Sequence, residues 1–192
     1  MNLKRQGVIM DRVNFPYDSR IPGLIKKDDG FIFNFFNKQV HYSKNGTIEC
    51  QGPALTKKIQ SALSQYFSDF PRGPWQPSCK LITLREFTGS GPLYSRFTAN
   101  TCKTIEATFS GNLHDLKKQC LALGARIKET PSHDLSARFQ ALSTIPIILN
   151  FNDKDDIMPA NAVFLFYDDA DKYLDLKGLG VLITYLTGLL IT

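Results

Sequence analysis

Apolar and polar residues alternate over Phe31–Phe36 and Gln39–Ser43, the period of two expected of strands with one buried face. Asn45-Gly46 separates the second run from "TIEC". Asn-Gly favours the two positive-φ residues of a tight hairpin turn, so an antiparallel meander is expected over residues 31–50. After Pro53 the period changes. Leu55, Ile59, Ala62, Leu63 and Tyr66 recur at helical spacing with Lys57 and Lys58 on the other side, which predicts an amphipathic helix over residues 54–67. The Pro/Gly-rich stretch "SDFPRGPWQPSC" ends it. "KLITLREF", residues 80–87, reads as a short strand closed by the turn "TGSGP".

The pattern is helical again from Tyr94 to Gly124. Asn112 is placed to cap "LHDLKKQCLAL", whose Leu113, Leu116, Cys120 and Leu123 share a face that Gly124 ends. "ARFQALST", "IPIILNFN" and "NAVFLFY" follow as strands, the last two joined by the loop "DKDDIMPA". Asp175 is placed to cap a final helix, "LKGLGVLITYLTGLL". Strands, helix, strand, helices, strands, helix: the order predicts an α+β fold, a mainly antiparallel sheet with helices packed against it. No repeat or linker interrupts it. A single domain over residues 30–192 is expected, with residues 1–29 an N-terminal segment of the same unit.

Composition narrows the class. At 192 residues, 43% hydrophobic and 14 Phe, the chain can bury one sizeable core and is not expected to be disordered. No apolar run reaches the length of a membrane span, and the opening "MNLKRQGVIMDRVNF" breaks at Asp11 and Arg12 without a small-residue cleavage site. Cys50, Cys79, Cys102 and Cys120 are scattered with no Cys-x-x-Cys pair, so no iron–sulfur or zinc ligand set is visible and no cofactor is expected. A reducing, cytoplasmic setting follows as the expectation. The net charge of +5 is uneven: residues 1–60 carry ten Lys/Arg against five Asp/Glu, and residues 151–192 three against seven. The basic residues form no stripe and no aromatic-interleaved motif, which argues against a nucleic-acid binder.

The acidic strand end "NAVFLFYDDADKYLD" is the sharpest chemical candidate. Asp169-Ala170-Asp171 has the Asp-x-Asp spacing that phosphohydrolases of the haloacid dehalogenase type place after a strand, where one Asp attacks and the other moves a proton. That chemistry also needs a Lys and further carboxylates on later strands, and too little chain follows. Turn formation by Asp168 and Asp169 and helix capping by Asp175 account for the same residues. "NFNDKDDIMPAN" lacks the Gly and Glu of a calcium loop. His41, His114 and His133 have no metal or triad spacing, and Gly89-Ser90-Gly91 lacks the frame of a nucleophile elbow. That Gly-Ser-Gly could wrap an anion with backbone N–H groups, but no helix start is evident beside it, so a plain turn is expected.

Blocks in a fixed order resemble a family. They are "LITLREFTGSGPLYSRF", "LKKQCLALGAR" and the run from "ARFQALST" through "FLFYDDADKYL" to the last helix, over roughly residues 30–190. They resemble the uncharacterised bacterial and archaeal family DUF 3786. Some similar proteins carry an extra cysteine-rich iron–sulfur segment and occur in anaerobes with corrinoid and one-carbon metabolism; this chain lacks that segment. The resemblance therefore implies a non-catalytic binding or accessory domain whose partner is a larger redox or corrinoid-related enzyme. The alternative is a small-molecule pocket for an anionic ligand, catalytic or not, built from Arg85, Glu86, Tyr94, Arg96 and Arg138, since Arg can clamp a carboxylate or phosphate through two parallel hydrogen bonds. That clamp requires Arg85, Arg96 and Arg138 to converge; structural ion pairs at sheet ends would use the same residues. Weak nucleic-acid binding, resting on a pI of about 9.0, is a third reading.

Overall fold

The computed structural model describes residues 20–50, 54–71 and 78–192. Residues 1–19 of the expected N-terminal segment, Pro53 and residues 72–77 of the Pro/Gly-rich loop lie outside them. Four short strands form the first sheet in chain order: β1 (Ile25–Lys27), β2 (Gly30–Phe35), β3 (Lys38–Ser43) and β4 (Ile48–Cys50), all antiparallel. Register pairs Phe31 with Tyr42 and Phe33 with Val40, which puts the large side chains on one face. That face packs on helix α1 (Lys57–Ser68), where the Phe67 ring meets Phe31 at 4.9 Å and Phe33 at 4.7 Å. Thr56 caps α1 by accepting from Ile59 N–H, so the helix begins later than the spacing predicts.

Two turns differ from expectation. The first expected strand stops short of Phe36, because Phe36 and Asn37 both have positive φ, 45° and 63°, and form a two-residue turn. At Asn45-Gly46 only Gly46 has positive φ, and Ser43 N–H donates to Thr47 across a three-residue loop. The expected two-residue Asn-Gly turn is thus a longer loop with glycine in its left-handed position.

The second sheet has five antiparallel strands in the order β5-β9-β8-β7-β6, with β5 (Leu81–Thr83), β6 (Arg126–Thr130), β7 (His133–Leu142), β8 (Ile145–Asn152) and β9 (Asn161–Tyr167). β8 and β9 match the sequence expectation. β6 was not expected, and "KLITLREF" contributes only three residues before turning. The helical pattern expected from Tyr94 comprises α2 (Gly91–Asn100), α3 (Cys102–Phe109) and α4 (Leu113–Ala122), with α4 starting after Asn112 as expected and an unexpected break at Thr101. The Asn112 side chain makes no capping bond. Gly124 does end α4, at φ +79° in a Schellman arrangement: Gly124 N–H donates to Leu121 and Ala125 N–H to Cys120.

One face of the second sheet is the core. Ala137, Phe139, Ile147, Leu149, Phe151, Phe164 and Phe166 are buried together with Leu116 and Cys120 of α4 and Leu179, Leu182, Ile183 and Leu186 of α5 (Leu176–Leu190). Cys120 is an inert member of that core: burial pushes its thiol up to about 12. Where β5 has ended, Glu106 of α3 covers the free edge of β9 by accepting from Ala162 N–H at 3.1 Å. The α+β class is as expected, with two antiparallel sheets sharing the structure.

Glycine explains how close α2 and α5 lie. A Cβ on Gly180 would sit 2.2 Å from the Phe97 ring, whereas one on Gly188 of the same helix would meet nothing within 4 Å. The two positions should therefore respond oppositely to the same change. Gly180→Ala is expected to lower stability by about 1–3 kcal/mol through overpacking, and Gly188→Ala to raise it by about 0.5–1 kcal/mol through helix propensity. Urea midpoints of the two variants, compared at equal m, give the signs directly.

Candidate functional site

The chain turns sharply after β5 because Glu86 reaches back to it. Its carboxylate accepts from Thr83 N–H at 2.7 Å and from the Thr83 hydroxyl at 2.9 Å, closing a 3-10 turn over Leu84–Glu86. Leu84 enters the core, and Phe87 follows it to pack on Phe166. Arg85 between them is left outside. The next turn is tied back to it: buried Ser90 donates its hydroxyl to the Arg85 carbonyl at 2.7 Å. Leu93 and Tyr94 N–H then donate to the Ser90 carbonyl, and α2 starts at Gly91 with Pro92 in its first turn. Gly89 makes the bend possible at φ +81°.

These turns surround an open depression of about 650 Å³ lined by Arg85, Phe87, Gly89, Ser90, Gly91, Tyr94 and Ser95. The Arg85 guanidinium lies 5.8 Å over the Tyr94 ring. It has no ion-pair partner among the described residues, and the neighbouring carboxylate is taken by Thr83. The helix start beside Gly89-Ser90-Gly91, which the sequence did not reveal, is therefore present. Its signal was Pro92, a residue favoured in the first turn of a helix.

The five residues expected to form a clamp divide. Arg85 and Tyr94 share the depression. Glu86 is exposed and committed to its own turn. Arg96 is exposed and lies about 200° around α2 from Tyr94 at ~100° per residue. Arg138 belongs to β7, three strands from Thr83 in the row Arg126–Arg138–Ile148–Leu165–Thr83, a distance of about 14 Å at ~4.8 Å per strand. Neither Arg96 nor Arg138 lines the depression that Arg85 and Tyr94 share. No Arg85–Glu86 or Arg138 ion pair is found among the described residues either; Arg138 lies 5.7 Å over the Tyr167 ring.

Arg138 marks a second surface, the outer face of the five-stranded sheet. Two of its rows are Arg126–Arg138–Ile148–Leu165–Thr83 and Lys128–Ser136–Asn150–Val163. Arg126, Lys128 and Arg138 are exposed, Val163, Leu165 and Tyr167 half-buried, and Leu81 at its edge is 41% exposed. Asn150 Oδ1 is a buried acceptor with no hydrogen-bond partner among the described residues.

Of the acidic candidates, Asp168, Asp175, Asp153 and Asp155 hold turns or a helix start through their side chains, while Asp169 is buried at the start of the 3-10 turn. Asp168 accepts from the Ser78 hydroxyl while its N–H donates to the Lys80 carbonyl, Asp171 is exposed in a 3-10 turn, and Asp175 caps α5 by accepting from Gly178 N–H at 2.6 Å. In the β8–β9 loop, Asp155 accepts from Ile157 and Met158 N–H, and Asp153 from Gly111 and Lys154 N–H. Among the described residues no group of three His, Cys, Asp or Glu is placed to hold a metal, and no helix is long and apolar enough to cross a membrane.

The fold defines a two-sheet α+β domain. The family model described as a domain of unknown function, DUF3786, matches residues 18–188, and the chain belongs to that family. No curated protein and no solved structure matches it.

The Glu86 turn has a titration signature. The Thr83 N–H, then its hydroxyl, holds the Glu86 carboxyl below its usual range. A folded value below the unfolded one adds stability that is fully present above the ordinary carboxylate range and lost as pH falls through the depressed value. Carboxyl-carbon NMR should find Glu86 titrating below an unfolded reference peptide, and Thr83→Val, which removes one of two donors, should raise its midpoint part of the way back.

Proposed function

We propose that this domain is a non-catalytic accessory module that docks on a larger protein through the outer face of its five-stranded sheet. The side-chain distribution on that face carries the reading. Arg126, Lys128 and Arg138 stand on β6 and β7, across β8 from a half-buried apolar strip of Val163, Leu165 and Tyr167 on β9, and neither row that holds the cations contains a carboxylate. Such a face complements a protein surface with an apolar centre and an acidic margin. Charge supplies attraction and register, and the strip supplies area removed from water. The family resemblance supports a redox or corrinoid-related enzyme as the partner, with any cluster chemistry residing on that enzyme.

The same face offers cations and one tyrosine to a nucleic acid, and the test separates the two. Tagged wild-type protein and Arg138→Glu are used to isolate partners from the native host, and the recovered enzyme is then purified and titrated directly against both. Stoichiometric recovery of one larger redox enzyme is expected, with Kd about tenfold or more weaker for Arg138→Glu. A monomer without a partner, equal affinity of the two proteins, or binding of single-stranded or duplex DNA that persists to moderate salt would contradict the proposal.

A further inference from the structure

The geometry points to a second binding site, independent of the sheet face: the depression between the Leu84–Glu86 turn and the start of α2 receives a small molecule through an oxyanion group, a carboxylate or phosphate. Three observations converge there. The first is Arg85. Its guanidinium is oriented by the Tyr94 ring, 5.8 Å away, yet no described carboxylate neutralises it, because Glu86 is bonded to Thr83. A cation held in place with its N–H donors unspent is prepared for a planar or tetrahedral oxyanion, and ordering it on binding costs little more.

The second is Gly91. Gly89 is required by its φ of +81°, but Gly91 has no positive φ, and a Cβ added to it would meet nothing within 4 Å. Alanine has the higher helix propensity, by less at this first helical position than the ~1 kcal/mol of a helix interior. Nothing in the fold among the described residues requires a glycine at this position, and Gly91 lines the depression, where the missing side chain leaves its backbone open to a ligand. The third is the lining: Phe87 and Tyr94 offer apolar contact beside the charge in an open depression.

The experiment uses the full chain and two probes, inorganic phosphate and malonate, each titrated at constant ionic strength against chloride. Backbone amide and arginine side-chain NMR resonances report the site. Saturable shifts confined to Arg85, Gly89–Gly91 and Ser95 are expected with at least one probe, and the probe that binds distinguishes a phosphate from a carboxylate ligand. Arg85→Ala should weaken binding about tenfold or more. Gly91→Ala should unfold at an equal or higher denaturant concentration than wild type and yet bind severalfold more weakly. Absence of saturation by both probes, shifts spread over surface lysines, or undiminished binding by Gly91→Ala would overturn the site. Because Arg138→Glu leaves this depression untouched, failure here is distinguishable from failure of the docking reading.

Discussion

Phe36 adopts a φ of +45° with its side chain buried, and the two sheets meet there. Its ring packs on Phe35 at 4.9 Å and on Tyr185 of α5 at 5.8 Å, and its N–H donates to the Ala141 carbonyl at the end of β7. The left-handed backbone costs about 1–2 kcal/mol for a residue other than glycine, while burying a phenylalanine contributes about 1.5–3 kcal/mol. Burial wins, and the turn persists. Asn37 beside it packs so closely on Gly124 that a Cβ there would lie 2.6 Å from the Asn37 amide. Through these two residues the hairpin of the first sheet is keyed to the α4 end and the β7 end of the second.

That junction gives the surfaces their rigidity. The five-stranded sheet is buried on one face by α4 and α5, and its outer rows are fixed by register with the inner ones, since adjacent residues of a strand point to opposite faces. The backbone of Arg138 is held by that register three strands from β5, which precedes Arg85. The division of the arginines into two surfaces is thus a consequence of the strand pairing. One of these surfaces is flat and the other concave.

Much of this was legible in the sequence where local pattern and tertiary need agree. β8 and β9 are nearly continuous apolar runs bounded by polar residues, and both ends were readable. β6 was not, because "RIKET" is an edge strand with Ile127 as its one apolar residue, which gives no alternation to detect. The start of α4 after Asn112 was readable from its apolar spacing, whereas the break at Thr101 between α2 and α3 was not, because it contains neither proline nor glycine. Phe36 read as strand because its side chain suits one; the turn is imposed by the packing of its ring. At the candidate site, Arg85 and Tyr94 were identifiable as chemistry. Their separation from Arg138 was not, since it depends on strand order, and the glycine that lines the depression is informative only once its surroundings are known.

The central claim is that the two sheets act as one frame, locked by the Phe36–Asn37 turn. Native-state hydrogen exchange under increasing denaturant tests it directly, by comparing amides of Phe33 and Val40 in the first sheet with those of Leu149 and Phe164 in the second. The account predicts that all four open with the same free energy and the same denaturant dependence. Opening of the first sheet at lower free energy, with the second still protected, would contradict it.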